Sequence, residues 1–524
     1  MKSFLSLALF LFMALGSLIS AGELSGPKTS ETGSSAEKDS SEPSPSAAIS
    51  EKPNILLIAV DDLNDWIGCM GGHPQAQTPN IDHLAKRGVL FTNAHCQSPV
   101  CNPSRASMMT SLYPETTGIY FLDPPLHRTS IPKKSQVMTM RFHQDGYLVK
   151  GAGKIYHNWD KYHFPEGHYF KKLEGVNLGF GPLTRRIAGR YDGCHFLWDW
   201  GPYPSNVKDE NMYDYKIATW GIKEIKKKHD KPFFLATGFY RPHVPMYAPQ
   251  KWFDMYPLET VQLPKVIKDD LADVSSYAIN LTTLKHVSPP FDWAVEHNEW
   301  KPLVRSYLAC VSFVDHQIGR VLDALDKSPI GKNTIVVLYG DHGFHLGEKE
   351  HFAKRTIWKD GSGVPFIMAG PGIAEGKVCK KPVELIDIYP TLLDLAGLKA
   401  NPVHEGDSLV PLLKNPDAEW PHMARSSFGP ENVAIISEHY RYIRYHDGSE
   451  ELYDLEKDPH EWKNLAADPK YKETIARHKA FLPKTYHPLL AGQSTGHKTY
   501  AAAEAAREDE SVSSKNAITH GKER

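Results

Sequence analysis

Cysteine is scarce in this chain: six residues in 524, at positions 69, 96, 101, 194, 310 and 379. So few thiols exclude a disulfide framework as the scaffold. A chain of this length buries a large core without staples. One or two bridges stay open, because spacing does not give pairing. Net charge is nearly absent too. The 60 Lys and Arg oppose 62 Asp and Glu, leaving −2. No global basic field exists, so nucleic acid is not an expected partner. An anionic ligand must be met by local positive charge. Beyond the N-terminus no apolar run is long enough to span a bilayer, so no stable membrane insertion is expected. Internal repeats are lacking, which excludes a repeat array.

Against these absences stands a strong N-terminal signal. Residues 1–22 read MKSFLSLALFLFMALGSLISAG, with Lys2 ahead of an apolar run from Phe4 to Leu18 and small residues at Ser20 and Gly22. That is the pattern of a signal peptide. It leads us to expect an exported protein, in a periplasmic, extracellular or lysosome-like compartment. No Cys near the cleavage region offers a lipid attachment point. Residues 23–51 are rich in Ser, Glu, Pro and Gly and read as a disordered linker. Residues 52–410 form the expected α/β domain, 411–490 a smaller α+β subdomain, and 491–524 a polar tail with a short helix in TYAAAEAAREDE. Asn280-Leu281-Thr282 matches the glycosylation acceptor pattern.

Within the α/β part, Asn54–Val60 (NILLIAV) is continuously apolar and of strand length. Similar runs cover Tyr147–Ala152, Phe233–Phe239 and Thr334–Tyr339. Such runs suit parallel strands buried on both faces. Helical patterns lie between them, as in PNIDHLAKRG, TWGIKEIKKKH and CVSFVDHQIGRVLDALDKS. The alternation predicts a large, mostly parallel sheet sandwiched by helices. After about residue 410 the texture changes. Ala434–Leu455 alternates in the manner of short antiparallel strands with a turn at Asp447-Gly448, and a closing helix follows.

Open α/β sheets bind ligands at the carboxyl ends of their strands. Four strand ends here carry chemistry: Asp61-Asp62, then Lys154 and His157, then Arg241 and His243, then Asp341-His342. Any one of these is a solvated loop charge; four on one rim argue for a site. Asp61, Asp62 and Asp341 make a hard-oxygen cluster, which favours Ca²⁺ or Mg²⁺ over zinc. His342 adds a nitrogen unusual for Ca²⁺. Cys101-Asn102-Pro103-Ser104-Arg105 reads as a loop entering a helix, with Pro103 near the first turn. A helix N-terminus with a fixed cation suits an anion. For a lone Cys the ordinary alternative is a buried thiol beside a helix cap. Most of the 26 His must be structural or exposed. His73, His345 and His351 lie near the site segments without a motif to single them out. Tyr120–Leu126, Cys194–Tyr203 and Trp293–Trp300 are aromatic stretches suited to a sugar-binding rim or to packing.

The CNPSR segment matches the Cys/Ser-x-Pro-x-Arg signature, and here the chain resembles the type I sulfatases. The likeness covers nearly all of residues 52–465. It includes PNILLIAVDDLNDWIGCMGG, TPNIDHLAKRGVLFTNAHCQSPVCNPSR, GDHGFHLGEKEHFAKRTIWKDGSGVPFIMAGPG, VELIDIYPTLLDLAG and ELYDLEKDPHEWKNLA. GKIYH, YRPHVP and GDHGFHLGE followed by Lys354 most resemble the iduronate-2-sulfatase branch. The resemblance implies an alkaline-phosphatase-like fold with a catalytic domain over 52–410. It implies that a separate formylglycine-generating enzyme oxidises Cys101 to formylglycine, whose hydrate is the nucleophile. It implies Ca²⁺ ligation by Asp61, Asp62, Asp341, His342 and an oxygen of modified residue 101. Arg105 would hold the hydrate, Lys154 and Lys354 bind sulfate oxygens, His157 take a proton, and His243 contact the sulfate and assist the leaving group. Many relatives carry Asn where this chain has His342. The implied substrate is a sulfated carbohydrate containing uronate or from algae. Two other readings stand beside it: a phosphoesterase or phosphonate hydrolase of the same superfamily, and a secreted binding protein on a silent scaffold.

Overall fold

The computed structural model describes residues 52–131, 137–157, 191–193, 198–282 and 287–521, with side chains through Asp509. The expected signal peptide, the linker and Cys194 lie outside the described residues. Residues 52–524 group as one unit.

The four apolar runs are strands, and they form the middle and one edge of the central sheet. In chain order the sheet contains β1 (Asn54–Val60), β2 (Gly88–His95), β3 (Leu148–Gly153), β4 (Phe233–Phe239), β5 (Thr334–Gly340), β6 (Gly363–Ala369), β7 (Lys377–Cys379) and β8 (Val383–Glu384). The spatial order is β7-β2-β6-β5-β1-β4-β3, with β8 also paired to β2. β1 pairs in parallel with β4 and β5, so it sits in the interior of the sheet. Its side chains divide between two cores, which explains its unbroken apolar run. Leu56, Ile58 and Val60 face a core shared with helices Pro79–Lys86, Tyr213–Ile225 and Trp300–Asp326. Ile55, Leu57 and Ala59 face the opposite core, shared with helices Cys101–Thr110, Met138–Gln144 and Ile388–Leu395.

β2 and β6 were not legible as strands. β6 runs antiparallel to both of its neighbours, β2 and β5, and makes the sheet mixed. It contains Pro365, which argues against an interior strand because proline donates no ladder hydrogen bond. The structure accommodates it with a register shift between Val364 and Phe366. That irregularity leaves Pro365 outside the ladder.

The C-terminal region carries a four-stranded antiparallel sheet: β9 (Ala424–Ser427), β10 (Val433–Ile436), β11 (Tyr440–Arg444) and β12 (Glu450–Asp454). The turn at Asp447-Gly448 closes with Tyr445 N–H donating to the Ser449 carbonyl at 3.0 Å, and Gly448 takes φ 91°. A helix at Lys472–Lys479 follows. The tail holds a longer helix than expected, Thr495–Gly521. It is tied down where Glu504 meets Tyr277 and His446. Among the described residues no helix is long and apolar enough to cross a membrane.

Candidate active site

The carboxyl ends of β1, β2, β3, β4 and β5 point the same way, and their following segments meet in one place. Asp61 continues β1, held by its N–H to the Phe239 carbonyl at 3.1 Å. Asp62 takes φ 62°, a left-handed turn that Asp tolerates better than most residues. Its N–H donates to Asp341 Oδ1 at 3.1 Å, and Tyr307 Oη–H donates to its carbonyl at 2.7 Å. Asp341 and His342 leave β5 beside it. His342 Nδ1 lies 3.0 Å from the Gly343 carbonyl. With Nδ1 engaged there, Nε2 is the nitrogen that faces the cluster. That nitrogen is 3.2 Å from Cys101 Sγ, 3.4 Å from Asp62 Oδ1 and 3.5 Å from Asp341 Oδ2.

Cys101 is the first residue of helix Cys101–Thr110, and the chain enters from extended Val100. Pro103 fits the first turn because its missing N–H has no intrahelical partner there. Every residue of this helix is buried. Arg105 sits four positions on, hence on the same face as Cys101. Its Nε is 2.8 Å from Asp341 Oδ2 and one Nη 3.1 Å from Asp61 Oδ1. The other Nη donates to the carbonyls of Lys154 and Ile155. Arg105 therefore ties three strand ends together.

Two lysines converge on the sulfur. Lys154 Nζ and Lys354 Nζ each lie 3.5 Å from Cys101 Sγ. Lys154 also contacts the Asp61 carboxylate, and Lys354 Nζ is 2.6 Å from Asp62 Oδ1. Lys154 depends on a close backbone approach between β3 and β4. A Cβ on Gly238 would stand 2.2 Å from the Lys154 carbonyl oxygen, and one on Gly153 1.9 Å from that of Gly238. His157 hydrogen bonds to the Cys101 side chain. His243 Nε2 is 3.9 Å from Asp61 Oδ2, with Nδ1 2.6 Å from the Val244 carbonyl. Arg241, from the same segment, turns inward to the Tyr247 carbonyl at 2.8 Å and shapes the loop.

The electrostatics follow from this crowding. Burial works against a charged sulfur, but Lys154, then Lys354 and His342, outweigh it and hold Cys101 well below the usual thiol range. Burial lowers His157, so its imidazole is neutral near pH 7. Asp341 is pushed up by burial to about 6, despite Arg105. Asp61 goes the other way, below the carboxylate range, because Lys154 and other cations overcome its burial.

Ligand atoms of Asp61, Cys101, Asp341 and His342 lie within 4.8 Å of one another, as do those of Asp61, Asp62, Cys101 and His243. Asp62 Oδ2 is buried without a hydrogen-bond partner. Three crowded carboxylates, one with an unpartnered oxygen, suit a hard divalent cation.

Every residue to which the resemblance gives a role is thus in one cluster, while Arg241 turns away from it. Other candidates have different employment. His345 is fully buried between Thr356 Oγ1 and the Glu348 carbonyl, His351 meets the Lys354 carbonyl, and His73 that of Gln262. Tyr120 and Phe121 are buried in the core under the C-terminal sheet. Trp200 Nε1–H donates to Glu299 and Trp300 Nε1–H to the Leu346 carbonyl. These aromatics pack the protein. The described cysteines, 69, 96, 101, 310 and 379, are all free. One buried cation beside the site escaped the sequence reading: Arg355, which no motif distinguished from its neighbours.

The sulfatase family model matches residues 53–398, and a second, the C-terminal region of N-sulphoglucosamine sulphohydrolase, matches 347–486. A sulfatase of Formosa agariphila is 43% identical over 83% of this chain and 87% of its own length. An ulvan-active sulfatase of the same organism is 31% identical over 80% of this chain and 83% of its own. Human iduronate 2-sulfatase is 29% identical over 67% of this chain and 70% of its own. A solved 2-O GAG sulfatase superimposes with TM-score 0.62 at 26% identity, covering 82% of this chain and 91% of that one.

Proposed function

Because the chain belongs to the sulfatase family, we propose that it hydrolyses sulfate esters on carbohydrates through a formylglycine made from Cys101. The observation that carries this is the convergence of Lys154, Lys354, His157 and His342 on the residue-101 side chain, beside three carboxylates. The ulvan-active and 2-O GAG relatives support a uronate-containing or algal substrate. The iduronate-2-sulfatase likeness is a distant one among several sulfatases with different substrates, so it indicates chemistry more than sugar. Residues 1–22 support export, and the chemistry requires a formylglycine-generating partner.

Asp61, Asp62, Asp341 and His342 would hold Ca²⁺, with Mg²⁺ the alternative; the cation supplies Lewis-acid polarisation and charge neutralisation. In place of the thiol, the formylglycine hydrate would offer one hydroxyl to attack sulfur and a second whose deprotonation releases sulfate. The chain's own residues do the rest. Lys154 and Lys354 hold the sulfuryl oxygens, where fixed cations stabilise developing charge without reorganising. Arg105 clamps Asp61 and Asp341 and so orients residue 101. His157, neutral and in contact with residue 101, accepts a proton there. His243 lies across the cluster and delivers a proton to the leaving sugar oxygen.

The test is sulfate release from sulfated uronate oligosaccharides, galactans and glycosaminoglycans by protein coexpressed with a formylglycine-generating enzyme. We expect release from one class, lowered roughly 10³-fold or more in Cys101→Ala with an unchanged melting temperature. Zinc-dependent phosphate release, or silence in a fully converted preparation, overturns the reading.

A further inference from the structure

Among the described residues the buried cations have partners, with one exception. Arg105, Lys154, Lys349 and Arg441 each lie against a carboxylate, and Arg241 hydrogen bonds to a backbone carbonyl. Arg355 is 5% exposed, yet its Nε and one Nη are buried with no hydrogen-bond partner. A guanidinium stays charged at any working pH and presents five donors in a rigid fork. Burying it unpaired is unfavourable, so an anion is the natural complement.

The position tells which anion. Arg355 directly follows Lys354, which contacts the residue-101 sulfur. Its N–H donates to the Pro99 carbonyl at 3.1 Å, two residues before Cys101. The backbone holding it is unusual. Ala353 and Arg355 take φ 97° and 83°, in a region side-chain-bearing residues rarely adopt. Such geometry persists where the surroundings impose it, and it gathers at functional sites. Burial pushes the guanidinium down to about 10, and the charge of Cys101 is what opposes that. Lys154, Lys354 and Arg105 already face the acids of the cluster, whereas Arg355 has Nε and one Nη to offer.

We infer that Arg355 binds an oxyanion of the substrate beside residue 101, either the sulfuryl group or a carboxylate on the same sugar. This rests on the sulfatase reading for the identity of the anion. The charge of Arg355 is matched when substrate arrives, and its fork adds the bidentate selectivity that the two lysines lack.

The test uses the matured, metal-loaded full chain with Arg355→Met and Arg355→Lys. Binding of inorganic sulfate and of glucuronate is measured by calorimetry, which needs no turnover, alongside KM, kcat and melting temperature. We expect Arg355→Met to melt no lower than wild type and to bind at least one of the two ligands tenfold or more weakly. Arg355→Lys should recover part of the loss. Loss confined to sulfate puts the guanidinium on the sulfuryl group; loss confined to glucuronate puts it on a sugar carboxylate. Unchanged affinity for both ligands, with unchanged KM, overturns the proposal. Should Arg355→Met fail to fold, Arg355→Lys decides, since it keeps the charge and loses the fork: weakened binding upholds the inference and unchanged binding overturns it. A wild type that binds these ligands but releases no sulfate would count against the proposed function and leave Arg355 as an anion-binding residue.

Discussion

His157 is where one side chain's environment has the clearest kinetic consequence. Burial disfavours its charged form and lowers it from the ordinary imidazole value, while the Cys101 contact opposes this only in part. A proton acceptor must be neutral to act, so activity is lost as pH falls through the pKa of this residue. The acid limb of kcat/KM should therefore lie below pH 6.5, the ordinary imidazole value. His157→Ala should lower kcat by roughly 10²–10⁴-fold and remove that limb, read from initial rates between pH 4.5 and 8. A limb that survives unchanged in the variant would assign the proton to another group.

At the scale of elements, the contact between β3 and β4 positions Lys154. The Lys154 N–H donates to the Gly238 carbonyl at 2.7 Å, and there is no room for a Cβ at Gly238. Gly238→Ala must push the Lys154 backbone away. Overpacking of this kind costs about 1–3 kcal/mol, seen as a lower denaturation midpoint. Activity should fall much further, about 10²-fold, because small misplacements of a positioned group are expensive in rate. A second element-level joint fastens the C-terminal sheet to the segment after Lys354. Arg441, on β11, meets Glu461 at 2.6 Å, the Ile357 carbonyl at 2.9 Å and Ser362 Oγ at 3.0 Å. Both members of the ion pair are almost wholly buried. Arg441→Met removes the ion-pair partner of Glu461, which keeps the Lys359 N–H at 2.8 Å, and costs about 3–5 kcal/mol, measurable by urea unfolding. The double variant Arg441→Met, Glu461→Gln should recover most of that.

Across the whole molecule, the acid cluster joins segments that are 280 residues apart in sequence, from Asp61 to Asp341. A cation bound there stabilises the folded state by mass action and not the unfolded one. Chelator treatment should lower the melting temperature and abolish turnover together, and Ca²⁺ should restore both. At a free concentration of 100 times its Kd the cation contributes about 2.7 kcal/mol. A chelated protein with undiminished melting temperature and activity would remove the cation from the account. The five converging strand ends also explain why the machinery is spread over the chain: each parallel strand returns its carboxyl end to the same rim, so each following loop can add one group.

How much of this was in the sequence follows from what kind of information each feature needs. NILLIAV, TIVVLY and FFLATGF announce themselves because a strand buried on both faces must be apolar throughout, and the residues after them are read off directly. CNPSR is a local pattern, legible without a fold. β6 was hidden because Pro365 contradicts strand chemistry until the register shift is seen, and that shift belongs to its pairing with β2. The employment of Trp200, Trp300 and His345 was hidden for the same reason: packing and sugar binding use the same residue types, and only neighbours distant in sequence tell them apart. The sequence by itself determined which groups reach the rim, since strand ends and motifs are short-range. Only the tertiary structure decided which cation faces which acid, and that Arg355 faces none among the described residues. Burial and ion pairing depend on strand order and long-range approach, which no local pattern encodes.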